Sequence, residues 1–399
     1  MKSFVFIFLT FFFIFHYAAQ PLTLEEFIAR THDQNLELRI EQAKLESFDA
    51  KSIGLIIPPP MLGFSQMKEE DGSKANGFEI YQTIPFPTKL FADHAARNLE
   101  FKSQAELRLV SQRQILLNAK LLYFSLWQSQ NRLSLLFEKK DVLREHLKIS
   151  RSVARSDSFT AIHVLKAESD FDLLDNEIES TKQFILEKQF EMANFINSDP
   201  ASFKVETVEP RISNIPKIDS FNQNHLYYSK QFTVESLKAK ENLAKLSWLP
   251  DFNLRYKEMG STSTSMKYNE FMIGITLPFV FFWEPYTLTK LASHERQAAE
   301  YGLEKEKINF RSDQAILLSR AESLRRQIET LSHKLIPRAE KRMKLVHNLA
   351  PRDLETLQDH RETMEAFPEL KMRALVLRVE YEKAVAELEK YASDEGPQR

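Results

Sequence analysis

The sequence predicts a mainly α-helical chain with a membrane β part, built as two structural repeats of long antiparallel coiled-coil helices plus four β-strands per protomer. Three observations predict it. The 399 residues hold only 8 Gly, where about 7% is usual. The chain is written twice, landmark for landmark. Four segments of roughly nine residues alternate apolar with polar, the length a tilted strand needs to cross a bilayer.

Composition narrows the function classes first. A net charge of -2 supplies no basic field for phosphates, so no nucleic-acid partner is expected. The absence of Cys excludes disulfides, Cys-ligated metals, thiol catalysis and the acylated Cys of a bacterial lipoprotein. Phosphate-binding loops need clustered glycines, and the closest pair, Gly72 and Gly77, sits in a polar stretch.

The N-terminus reads as a signal peptide, residues 1–19. Met1-Lys2-Ser3 is a short positive start, and the apolar run Phe4 to Phe15 suits a signal core but falls short of a bilayer span. An uncleaved anchor is the alternative. Either way the remainder is expected outside the cytoplasm.

The repeat comes next. Asn35 to Pro60 and Asn224 to Pro250 each open on Asn, carry apolar residues at helical spacing and close on Pro. Each leads into two alternating segments around a polar loop and then a Pro-Phe, Pro85-Phe86 and Pro278-Phe279. The first repeat is placed at 20–215, with strands about 61–69 and 77–84 and long helices 88–150 and 157–197. The second is placed at 216–392, with strands about 251–259 and 269–277 and long helices 286–348 and 353–392. A tail follows at 393–399.

The long helices follow from missing punctuation. Between Thr88 and Asp199 there is neither Gly nor Pro, the residues that turns draw on. Periodicity lapses only at Arg151 to Thr160, and in the second repeat at Leu349 to Asp353. Helices of such length folded back on each other form a coiled-coil shaft. The broad apolar face around Leu117, Leu121, Phe124 and Leu135 implies neighbours on two sides or a buried bundle position.

The strands carry the membrane reading. Phe252, Leu254 and Tyr256 fall opposite Asn253, Arg255 and Lys257; Phe271, Ile273 and Ile275 fall opposite Glu270, Met272 and Gly274. Phe78 and Ile80 likewise oppose Glu79 and Tyr81, and Met61 to Glu69 alternates more weakly. Two hairpins on a soluble sheet would read the same way. In lipid, four strands cannot close and open edges are not tolerated, so three copies are expected to complete a trimeric 12-stranded barrel. Its lumen candidates are Glu79, Arg255, Lys257 and Glu270, with outer loops at Lys68 to Asn76 and Gly260 to Tyr268.

This order resembles the outer-membrane efflux protein family, the TolC-like channels, over essentially the whole mature chain. LTLEEFI (Leu22 to Ile28) matches the family's opening helix, with Asn35 following, and SWLPDFNLRY (Ser247 to Tyr256) its helix-to-strand junction. Ala161 to Ile178 is similar to the helix after the first helical turn, with His163 where the family often has Asp. Leu335 to Met343 matches a Pro-containing segment of the second long helix. PPPML (Pro58 to Leu62) and YQTIPFPTKL (Tyr81 to Leu90) look most like the heavy-metal cation-efflux branch, which often has Gly where this chain has Thr88.

The resemblance implies a homotrimeric passive exit duct in the cell outer membrane, its helical part in the periplasm and its barrel against outer-membrane lipids. It implies a periplasmic adaptor and an inner-membrane pump, of the resistance-nodulation-division type, as partners. It places the periplasmic entrance at the two helical turns, where Asp157 and Asp353 are candidates for a charge ring; both also suit helix N-caps. No catalytic, cofactor or metal residue is assigned and no cofactor is expected. The ten His are scattered, and no HExxH is present. The alternative is a periplasmic coiled-coil adaptor or structural protein without a membrane barrel.

Overall fold

A computed structural model describes residues 20–70, 72–154, 160–218, 220–262, 266–347 and 354–392. The segments read as signal peptide (1–19) and tail (393–399) lie outside them. In chain order the elements are β1 (Gln20–Leu22), α1 (Leu24–Gln34), α2 (Leu36–Ser52), β2 (Met61–Lys68), β3 (Lys74–Ile84) and α3 (Pro87–Ala154). Then come α4 (Thr160–Phe195), β4 (Val205–Thr207), α5 (His225–Lys245), β5 (Phe252–Met259) and β6 (Tyr268–Ile275). The chain continues through α6 (Trp283–Thr330), α7 (Ile336–His347) and α8 (Leu354–Glu389). No helix among the described residues is long and apolar enough to cross a membrane.

The chain divides into two compact units. One gathers the residues up to Leu36 with Leu116–Ile215 and Leu318–Glu387; the other gathers Glu37–Ile115, Pro216–Leu317 and the residues from Leu388.

The first unit has the apolar core. Tyr123, Phe124, Leu126 and Trp127 of α3 meet Met192, Ala193 and Ile196 of α4, with Phe27 of α1 and Val379 of α8. The parallel pair β1–β4 lies beside them, with Leu22 opposite Thr207. Its short strands are held by side chains rather than by a larger sheet. Gln130 and Gln189 both donate to the Val205 carbonyl at 2.9 Å, and Gln130 also accepts from the Thr207 amide at 2.9 Å. The connection after β4 is held by α8: Arg378 donates to the Pro210 carbonyl, and Tyr381 to that of Ser213. Farther along, Leu136 and Leu143 of α3 pack on Leu174 and Ile178 of α4. Ion pairs flank that seam, Arg132–Glu177 at 2.7 Å and Lys371–Glu138 at 2.9 Å, but exposed pairs of this kind stabilise little.

The second unit carries the sheet on α2, α5 and the adjoining parts of α3 and α6. Small hydroxyls line the α3–α5 contact: Ser103 donates to the Ser229 carbonyl at 2.9 Å, and Ser236 to that of Ala96 at 3.2 Å. Glu241 of α5 accepts from Lys245 and from Arg296 of α6, and the Lys245 bond, followed by that from Arg296, draws its carboxyl below the usual range.

The repeat reaches individual hydrogen bonds. Asn35 donates its side-chain amide to the carbonyl of Phe195, the last residue of α4, at 2.7 Å. Asn224 donates to the carbonyl of Lys390, one residue past α8, at 3.3 Å. Each Asn thereby satisfies a carbonyl left over where a helix ends. A ring trio recurs beside each: Phe27 near Tyr123 and Phe195, and Phe310 between Phe221 and Tyr391.

Three features depart from the sequence reading. The helix expected to run from Asn35 to Pro60 stops at Ser52, because Gly54 takes φ +66°, a conformation that ends helices. The helix expected over 286–348 contains a π turn at Leu331–Leu335. Pro337 has no N–H for the carbonyl four residues back, and widening the turn just before it accommodates that defect. Within the polar stretch Lys68 to Asn76, Lys68 ends β2 and Lys74, Ala75 and Asn76 already belong to β3; between the strands the Glu69 amide donates to the Ser73 carbonyl at 2.9 Å and Gly72 takes φ +85°.

Tyr123 brings a buried hydroxyl into the first core. Its hydroxyl lies 2.8 Å from the Leu22 carbonyl and 2.7 Å from that of Val208, so one proton serves two acceptors. Burial pushes its pKa from 10.0 up to about 12. A raised phenol contributes stability that is complete below pH 10 and fades as the pH climbs towards 12. Tyr123→Phe is expected to cost about 1–3 kcal/mol by stranding both carbonyls. Circular dichroism melts should show the wild-type protein losing its margin over the variant above pH 10.

Candidate functional site

Four strands in the order β2-β3-β5-β6 form one antiparallel sheet, which joins the hairpins of the two repeats through β3 and β5. Opposed residues share a face, so the register sorts the side chains. The row Leu62, Ile80, Tyr256, Phe271 and the row Gln82, Leu254, Ile273 fall on one side. The row Gly63, Glu79, Lys257, Glu270 and the row Met61, Tyr81, Arg255, Met272 fall on the other. The first face is apolar and open, with Phe64 84% exposed.

The four lumen candidates Glu79, Arg255, Lys257 and Glu270 thus share the polar face. Three of them occupy one cross-strand row, and Arg255 stands in the next. Arg255 reaches Glu79 with both Nε and Nη2, at 2.9 and 2.8 Å from Oε2. Gly63 leaves the room for this: a Cβ there would lie 3.0 Å from Cγ of Glu79. Lys257 stands between Glu79 and Glu270. Two carboxylates and two cations leave these rows without net charge.

Other polar-face residues have partners that the sequence does not reveal. The Asn253 amide oxygen accepts from Tyr81 at 2.7 Å and from Thr83 at 2.9 Å. Where the sheet meets α3, Asp251 accepts from Lys89 at 2.8 Å and from the Phe86 amide at 2.9 Å. Alternation already set Asp251 and Asn253 on this face; their partners, far away in the chain, had no periodic signal. The entrance candidates Asp157 and Asp353 lie outside the described residues. Among the described residues, no group of three or more His, Cys, Asp or Glu is placed to hold a metal ion.

The sheet is polar on one face, apolar on the other and set on long helices of a twofold repeat. No family model and no curated protein matches the sequence; the likeness is in solved structures. The MtrE outer membrane channel of Neisseria gonorrhoeae, in its open state, is similar at TM-score 0.75 and 14% identity, over 92% of this chain and 88% of that one. The CmeC outer membrane channel of Campylobacter jejuni is similar at TM-score 0.76 and 13% identity, over 92% and 85%. CusC, whose structures describe transmembrane channel formation, is similar at TM-score 0.72 and 12% identity, over 93% and 92%. At such identities the likeness establishes the TolC-like fold.

Gly77 holds the two hairpins together. It sits opposite Met259, and a Cβ on it would overlap both the Met259 sulfur and the Glu258 carbonyl. Gly77→Val is therefore expected to open the β3–β5 seam, seen as new protease cleavage within the strands. Gly302→Ala, at a helical position with nothing within 4 Å, is the control and should be neutral or slightly stabilising.

Proposed function

We propose that the chain is the outer-membrane exit duct of a tripartite efflux system. Three copies close their sheets into one 12-stranded barrel in the outer membrane, and the helices extend into the periplasm. The duct is passive: an inner-membrane pump, of the resistance-nodulation-division type, supplies the energy, and a periplasmic adaptor joins pump to duct.

The observation that carries this reading is the sheet with two free edges. Among the described residues β2 pairs only with β3, and β6 only with β5. β2 and β6 run in opposite directions, so β6 of one copy meets β2 of the next in the antiparallel sense already used inside the sheet. Head-to-tail contacts that close make a ring, and a ring removes every edge that lipid would not tolerate. The apolar face then meets hydrocarbon, and Glu79, Arg255, Lys257 and Glu270 face the lumen. Asp157 and Asp353 remain the proposed charge ring of the periplasmic entrance.

Fractionation with outer membranes together with a crosslinked trimer is the expected outcome; a monomer in the soluble periplasm would overturn the duct. For cargo we propose heavy-metal cations, on the likeness of Pro58 to Leu62 and Tyr81 to Leu90 to that branch. A deletion strain should lose metal tolerance more than tolerance to drugs and detergents. Unchanged metal tolerance removes the cation assignment and leaves the duct standing.

The neutral rows make a further expectation. Lys257→Glu places three carboxylates in one row of each copy, nine around a trimer. Rings of charge filter ions, so the potassium-to-chloride permeability ratio in planar bilayers should rise several-fold over the wild-type channel. An unchanged ratio would mean that Lys257 does not face the conducting path.

A further inference from the structure

Two helices of the first unit carry opposite charge on faces left open among the described residues. On α4, Glu168 to Glu179 holds six acids and no base. On α7 and the turn before it, Lys334 to Lys344 holds five cations against the single acid Glu340. Asp172 and Glu179 stand about two turns apart, on the side of α4 opposite Leu174 and Ile178, which are buried against α3. Glu179 pairs with Lys182 of its own helix. Arg338, Lys341 and Arg342 share the exposed side of α7 with Leu345, which is 63% exposed. Among the described residues Asp172, Lys334, Arg338, Lys341 and Arg342 make no ion pair.

Contacts around them set both faces at one level. Adjacent lysines of α3 reach in two directions, Lys139 to Glu369 of α8 at 3.5 Å and Lys140 to Asp175 of α4. The Glu340 carboxyl of α7 is held below the usual range by Lys344 and, from farther off, by Lys371 of α8. Asp175 and Glu340 thus both lie within about a turn of Glu369 and Lys371 along the helix axes. Helix directions follow from the same pairs. α3 runs against α4 and against α8, and α8 runs against α6 and α7, so α7 also runs against α4. Arg361 ties α8 to Asp170 of α4, and Arg320 of α6 pairs with Glu380 of α8. Among the described residues no hydrogen bond or ion pair joins α4 to α6 or α7. The acidic and basic faces are therefore on separate flanks of α8.

We propose that the basic face of α7 in one copy docks on the acidic face of α4 in the next copy, with the two helices antiparallel. The surface rests on the ring of three copies proposed above, in which every copy presents the same two flanks and one contact repeats head to tail. Lys334, Arg338, Lys341 and Arg342 then meet Asp172 and Glu179, while Leu345 covers part of the apolar surface that Leu165 and Leu173 leave open, 63% and 66% exposed. Exposed ion pairs add little stability one at a time. Their use here is to choose the partner: an acidic face repels a second acidic face and a basic face a second basic one, so a twofold pairing of either flank is disfavoured. What is left is the head-to-tail contact, with the level of the charges fixing how far one copy slides along the next.

The chain has no Cys, so introduced pairs report on the contact alone. Full-length protein carrying Asp172→Cys with Lys334→Cys, Arg338→Cys or Arg342→Cys, one pair per protein, is oxidised in isolated membranes. At least one pair should yield disulfide-linked dimers and trimers on non-reducing gels. A disulfide confined to the monomer puts both faces within one copy and overturns the surface. An amine-reactive crosslinker on the wild-type protein reports the trimer independently. A crosslinked trimer with no disulfide from any pair overturns the surface and leaves the duct standing; no trimer by either route overturns both. Exchanging the charges provides the second measurement, with circular dichroism as the check on folding. Arg338→Glu with Lys341→Glu should lower the trimer fraction in detergent at low salt by about threefold, and adding Asp172→Lys with Glu179→Lys should bring it back to within about twofold of wild type. A fourfold variant no better than the first pair alone overturns the surface.

Discussion

Every strand in this molecule must find a partner for its backbone, and the rest of the structure follows from how that is done. Among the described residues the four-stranded sheet leaves β2 and β6 with an outer row of N–H and C=O groups. In water such edges invite aggregation; in hydrocarbon they are excluded. The proposed ring of copies would resolve both problems with one geometry, because the sheet already ends in strands of opposite direction. The same demand explains why the two hairpins meet at β3 and β5. That seam makes one wide sheet from two narrow ones, and Gly77 is the position where the backbones come too close for any side chain.

The helices answer a different demand, that of ending. A helix leaves carbonyls unsatisfied at its last turn, and this chain deals with the problem the same way in both repeats. Asn35 and Asn224 each reach from the start of one helix to the last free carbonyls of another. An aromatic trio stands beside each. The surroundings differ: Phe27 lies on a full helix capped by Thr23, whereas Phe221 lies on a single 3-10 turn. A repeat can therefore keep a tie between distant elements while shedding the element that introduced it.

What was legible in the sequence is what repeats at a short period. Alternation set the faces of β3, β5 and β6 residue by residue, and it brought Glu79, Arg255, Lys257 and Glu270 to one side. The absence of Gly and Pro announced α3 and α4. Features that rest on one residue meeting another far along the chain were not legible. The Asp251–Lys89 tie, the fit of Gly63 over Glu79 and the two carbonyls around Tyr123 have no period. Gly54 shows a third case. Its helical surroundings pointed one way, and the positive φ that only its missing Cβ makes easy pointed the other.

Charge on the polar face bears on where selection takes place. A conduit that gathered cations along its strands would carry uncompensated carboxylates, since a ring of like charge is what raises the local concentration of a counter-ion. Here each carboxylate has a cation in the same or the neighbouring row, and Glu79 is held by two nitrogens of one guanidinium. The Arg255–Glu79 pair is fixed by contact, and in the proposed barrel the balance of charge across the two rows would flatten the potential that a passing ion meets. In the proposed duct such a barrel would admit solutes by size and leave discrimination to what lies before it. On the proposed assembly, that is the pump and the periplasmic entrance, so the chemistry of the cargo should be written in those parts rather than in the strands.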